Sequence, residues 1–157
     1  MGVLVKNLRK EAKTVERILV NACDRMTGGE LHVAIAYNRL EEVIQLISAG
    51  ADVEVRDAYG QTPLYAAASG GHQDLVVKLV ELGANIDAAD KNGETPLYAA
   101  ASGGHQDVVV KLVELGANIH AVNKDGCTLL HAAACNGHQE VVVKLVELGA
   151  NVNAADE

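Results

Sequence analysis

Apolar and polar positions along this chain form a figure that recurs every 33 residues, marked by Gly50, Gly83, Gly116 and Gly149. Within one period, Thr62 and Pro63 open a short helix as N-cap and first helical residue, because proline's missing N–H costs nothing at that end. LYAAAS continues the helix and Gly70-Gly71 stop it. A second helix is predicted from about Asp74 to Leu82, with Gly83 as its C-terminal stop. At 100° per residue, Leu75, Val76, Val77, Leu79, Val80 and Leu82 cover roughly 220° and leave Asp74, Lys78 and Glu81 outside. So wide an apolar face needs neighbours on more than one side. Valine is a mediocre helix former, so burial rather than local preference must hold this element.

After the second helix, Asp90 and Gly93 occupy the first and fourth places of a predicted type I turn, and Asp57–Gly60 and Asn123–Gly126 repeat the pattern. Two short helices and one projecting turn cannot close a core alone, so the units must stack in single file and bury one another's faces. The expected fold is all-α: an α-solenoid of helix–turn–helix repeats with projecting β-turn fingers. Four units are expected, at 29–61, 62–94, 95–127 and 128–157. TPLYAAASGGHQD runs from Thr62 to Asp74 and returns unchanged from Thr95 to Asp107, with an edited copy, TLLHAAACNGHQE, from Thr128. The first unit is looser.

Residues 1–28 are not a unit of this kind. Leu4, Leu8, Ala12, Val15, Leu19 and Ala22 recur at steps of three and four, while Lys6, Lys10, Lys13 and Arg17 follow another face. The segment reads as an amphipathic helix capping the first repeat, with docking on a membrane surface or a partner as the alternative. At the other end, EVVVKLVELGANVNAADE keeps an apolar helix with no polar final unit. Either the chain is cut from a longer array, or that face meets another molecule. Val77, Val110 and Val143 form a stripe along the outer shoulder, for which partial burial is expected and self-association is the alternative.

The repeated motifs carry a family resemblance. TPLY stands at Thr62–Tyr65 and Thr95–Tyr98, and TLLH at Thr128–His131. GH precedes each second helix at Gly71-His72, Gly104-His105 and Gly137-His138. LGAN follows at Leu82–Asn85, Leu115–Asn118 and Leu148–Asn151. In these residues the chain resembles the ankyrin-repeat family from about Gly29 to Glu157. The resemblance implies that the glycine-histidine imidazoles bond backbone between units. The family pattern has His where this chain has Tyr65 and Tyr98, so those phenol rings are expected to pack with their hydroxyls near the surface. The first unit carries Gly29-Glu30 in place of Thr-Pro and Asn38-Arg39 in place of Gly-His.

By the same resemblance, partners lie against the turn tips and the inner face of the first helices, a concave surface. The implied tip residues are Ala58, Tyr59 and Gln61; Lys91, Asn92 and Glu94; and Lys124, Asp125 and Cys127. The implied helix ends are Ala36-Tyr37, Ser69-Gly70, Ser102-Gly103 and Cys135-Asn136. Tyr37 and Tyr59 are the large aromatic residues among them, and exposed tyrosine is a frequent anchor in recognition.

Composition narrows the partner. With no Phe and no Trp, packing falls to Ala, Val and Leu, which suit close helix layers. A net charge of -8 argues against nucleic acid and favours a basic protein surface. Cys23, Cys127 and Cys135 are an odd set without a CxxC pair, as expected of reduced thiols in a cytoplasmic or nuclear protein. No apolar run reaches the ~18 residues of a membrane span. No signal-peptide core, myristoylation site or N-glycosylation sequon is present.

Each copy also places a histidine, a hydroxyl and a carboxylate within a dozen residues, the side chains of proton transfer and metal binding. Neighbouring helices stack ~8–10 Å apart, whereas zinc ligands must each lie ~2 Å from one ion, so His72, His105 and His138 cannot share a metal. A nucleophile and base recurring in every unit, with no pocket assigned to one, marks a structural rule. No GxxxxGK[ST] loop occurs. The expectation is a non-enzyme without cofactor, metal or catalytic residues: a protein-interaction module. The alternative is a natural or engineered repeat scaffold that associates with its own copies through the last repeat or the N-terminal helix.

Overall fold

A computed structural model of the chain describes residues 5–13 and 29–154. Eight helices follow in pairs: α1 Gly29–Ala36 and α2 Leu40–Ser48; α3 Pro63–Ser69 and α4 Gln73–Glu81; α5 Pro96–Ser102 and α6 Gln106–Glu114; α7 Leu129–Cys135 and α8 Gln139–Glu147. The first helices α1, α3, α5 and α7 stack on one another as one layer, and α4, α6 and α8 stack as the second, with each pair packed together inside its unit. The fold is the expected all-α repeat array. Among the described residues, extended pairing is limited to one isolated bridge between Val122 and Thr128.

Local chemistry sets the helix ends. Thr62 Oγ1 accepts from Tyr65 N and Thr95 Oγ1 from Tyr98 N, each at 3.2 Å, and Thr128 Oγ1 accepts from His131 N at 3.3 Å. α4 begins one residue earlier than the sequence predicts, at Gln73, with His72 in the N-cap place. At its other end Gly83, at φ +95°, donates to Val80 O while Ala84 donates to Leu79 O, a Schellman stop that only glycine enters without strain.

One continuous core runs through the array. Leu64, Leu75, Leu79, Leu97, Leu112 and Leu145 are fully buried, and Ala67, Ala68, Ala100 and Ala101 let the first helices approach closely. Along the shoulder, Val77 and Val110 are half-buried as expected, while Val143 is 50% exposed. Residues 5–13 are helical and exposed throughout, Leu8 at 57%. The rest of the N-terminal stripe, Leu4, Val15, Leu19 and Ala22, lies outside the described residues, as do Cys23 and Glu157.

Candidate interaction surface

The fingers between units are built by one side chain each. Asp57 Oδ1 accepts from Tyr59 N and Gln61 N, both at 2.9 Å; Asp90 Oδ1 does the same for Asn92 N and Glu94 N, and Asn123 Oδ1 for Asp125 N and Cys127 N. Gly60, Gly93 and Gly126 close the turns onto residues 57, 90 and 123. Adjacent fingers are tied edge to edge: Lys91 N donates to Tyr59 O, and Lys124 N to Asn92 O. The first junction carries two further braces. Lys91 Nζ donates to Ala58 O at 2.7 Å, and Arg56 Nη1 donates to both Gly60 O and Ala89 O.

At the opposite end of the first helices, histidines lock successive units. His105 Nε2 donates to Ser69 O at 2.8 Å and His138 Nε2 to Ser102 O at 2.9 Å. A Cβ at Gly71 would stand 2.6 Å from His105 Nδ1, and one at Gly104 equally close to His138 Nδ1. Glycine is therefore required there twice over, for the approach of the ring and for φ values of +72° and +75°. The position equivalent to Gly71 in the first unit is Asn38, a non-glycine residue at φ +54°. The expected inter-unit role of these imidazoles thus holds at the second and third junctions. Among the described residues, no hydrogen bond joins the His72 ring to the first unit.

The expectation that the hydroxyls of Tyr65 and Tyr98 sit near the surface is corrected for Tyr65. Tyr65 is buried, and its hydroxyl donates to Glu94 Oε2 at 3.1 Å. The half-buried Tyr98 hydroxyl accepts from Asn123 Nδ2 in a longer 3.4 Å contact. Their counterpart in the first unit, His32, bonds through Nε2 to Gln61 O at 3.0 Å. The fourth residue of the first-helix motif thus reaches toward the following finger in each of the first three units. In the last unit, His131 Nδ1 instead accepts from Thr128 N, the Thr–His capping box of the family pattern. Burial first, then the Glu94 carboxylate, pushes the Tyr65 hydroxyl above the usual phenol range, and burial likewise raises Tyr98. Both phenols therefore keep their protons at physiological pH, Tyr65 as a donor to Glu94 and Tyr98 as an acceptor from Asn123.

Of the residues the sequence assigns to a partner, Tyr37 and Tyr59 are each 70% exposed. The Arg39 guanidinium lies 5.1 Å from the Tyr37 ring centroid and also pairs with Glu42 at 3.3 Å. Ala58, Ser69, Lys91, Asn92, Lys124, Asp125, Cys135 and Asn136 are exposed, and Gln61, Ser102 and Cys127 are half-buried. Glu94 is half-buried and engaged by Tyr65; Asn136 Nδ2 donates to Ser102 Oγ and Ala132 O. Sequence reasoning passed over Arg39 and Arg56. The signal for Arg56 was its register: the equivalent places 33 and 66 residues on hold Ala89 and Val122, so a lone guanidinium stood out in an apolar column.

Among the described residues, no three His, Cys, Asp or Glu side chains gather so as to hold a metal ion, and no helix is long and apolar enough to cross a membrane. A family model described as ankyrin repeats in three copies matches residues 8–90, 31–123 and 88–156. No curated protein matches the chain.

Proposed function

The chain belongs to the ankyrin-repeat family, and from that premise we propose that it binds a protein partner on the concave side formed by finger tips and first helices. Ankyrin repeats are in general protein–protein interaction modules and non-enzymatic scaffolds. The observation that carries the reading is how the four tyrosines divide. Tyr65 and Tyr98 turn into the junctions between units, whereas Tyr37 and Tyr59, in a chain without Phe or Trp, are 70% exposed at positions the fold leaves free. Arg39 over the Tyr37 ring limits its rotamers, which lowers the entropy lost when a partner covers it.

The units of this proposal are 29–61, 62–94, 95–127 and 128–157, with residues 1–28 as an N-terminal helix. Its contact set is Tyr37, Ala58, Tyr59, Gln61, Ser69, Lys91, Asn92, Glu94, Ser102, Lys124, Asp125, Cys127, Cys135 and Asn136. The net charge of -8 favours a partner with a basic face. The test is recovery of partners by the wild-type chain, by a Tyr37→Ala/Tyr59→Ala variant and by a Lys78→Ala variant on the second-helix layer. The expected result is loss with the tyrosine pair alone. Equal recovery of every partner by all three chains refutes the tyrosine-centred site.

A further inference from the structure

The helix over residues 5–13 presents an apolar strip to solvent. At 100° per residue, Val5, Leu8 and Ala12 fall within about 60° of one another, and Lys6, Arg9 and Lys13 fall within a similar arc beside them. Val5 is 47% and Leu8 57% exposed. The nine residues hold four basic side chains (Lys6, Arg9, Lys10, Lys13) against Glu11, a net +3, in a chain whose total is -8. The other 148 residues therefore carry -11.

On the outer shoulder lies an open groove of about 470 Å³ between α6 and α8, lined by Gln106, Gln139, Glu140, Val143, Lys144 and Glu147. Val143, half exposed, supplies its apolar side. Lys144 is paired with Glu147 at 2.9 Å, so the lining carries a net -1 with Glu140. An apolar strip flanked by positive charge on one element thus has a small counterpart on another: one exposed valine beside Glu140 and the Lys144–Glu147 pair.

We propose that helix 5–13 of one copy docks in the α6–α8 groove of a second copy, with Leu8 against Val143 and the basic flank against Glu140. Because the two surfaces differ, the contact is heterologous: every bound copy offers a free groove or a free helix to the next, and the array grows or closes into a ring. The contact uses the second-helix layer and leaves the concave side open, so it stands or falls apart from the binding reading above.

The test is light-scattering mass across dilution, at low and high salt, for the full chain, Leu8→Glu and Val143→Lys, with circular dichroism to confirm that each folds. Both positions are exposed, so folding is expected to persist. The wild-type mass is expected to rise with concentration and fall back with salt, which screens the charged flanks, while each variant alone stays at one chain. Mixing the two variants is expected to give a pair of one copy each and nothing larger, since one intact helix and one intact groove remain. A wild-type mass independent of concentration overturns the proposal. So does loss of association in Leu8→Glu but not in Val143→Lys, which would indicate a helix-to-helix dimer. A mixture that stays monomeric overturns it as well, as does a helix that binds anionic vesicles while the chain remains a monomer.

Discussion

Tyr65 of one unit donates its hydroxyl to Glu94 Oε2 of the finger that closes the same unit against the next, at 3.1 Å and with the ring buried. A side chain of a first helix is thereby tied to the root of a finger, which fixes how far that finger stands above the layer of helices. Removing the hydroxyl with Tyr65→Phe keeps the ring and its packing and leaves Glu94 to water, since that carboxylate is half-buried. The expected cost is about 0.5–1.5 kcal/mol, read as a lower urea midpoint at unchanged slope. A midpoint equal to wild type would show that the bond adds nothing.

The same tyrosine makes stability depend on alkaline pH. Burial and Glu94 raise its folded-state pKa, so the folded chain holds the proton more tightly than the unfolded chain. Its contribution is complete below the unfolded phenol value of about 10 and is lost as pH rises through the folded value. Tyr98 adds to the loss in the same direction. Thermal unfolding followed upward from about pH 9 should show a fall that is smaller in Tyr65→Phe/Tyr98→Phe. Parallel curves for the two chains would remove these phenols as its cause.

Gly71 and Gly83 separate two reasons for glycine. Both have positive φ, but a Cβ at Gly83 meets nothing within 4 Å, whereas one at Gly71 runs into the His105 ring at 2.6 Å. Gly83→Ala is expected to cost about 1–3 kcal/mol from backbone strain alone. Gly71→Ala should cost about 1–3 kcal/mol more, because the imidazole must leave Ser69 O or the helices must part. Equal losses in denaturant unfolding would mean that the ring yields freely.

A ladder of carboxylates runs along the second helices' exits and breaks once. Glu54 Oε1 accepts from Asn85 N at 2.6 Å and Asp87 Oδ1 from Asn118 N at 2.9 Å. The next place in this register is His120, exposed, facing the turn that holds Asn151. His120→Asp is expected to supply the missing acceptor and stabilise the last unit by about 0.5–1.5 kcal/mol, seen as slower amide exchange across α8. Unchanged exchange there would show that the last turn does not sit like the earlier ones.

Much of this molecule was legible one period at a time. Thr62, Pro63 and Gly83 announce the helix ends because capping and positive φ are satisfied within a few residues of chain, and Asp90 with Gly93 announces the finger for the same reason. The side chains that join periods were harder. The Tyr65 ring was expected to pack with its hydroxyl near the surface, because the partner of that hydroxyl, Glu94, is 29 residues away and reaches it only when the finger folds back.

What the amino-acid order determined by itself is the repeat, its helices, its turns and the need to stack, since each follows from local hydrogen bonding and from an apolar face too wide for one unit to bury. What only the tertiary structure decided is where the long side chains go: the Tyr65 hydroxyl onto Glu94, Arg56 onto the Ala89 carbonyl, His105 over Gly71, Val143 into a groove. Those outcomes turn on distances of a few ångströms between neighbouring units, and stacking, not sequence period, sets such distances.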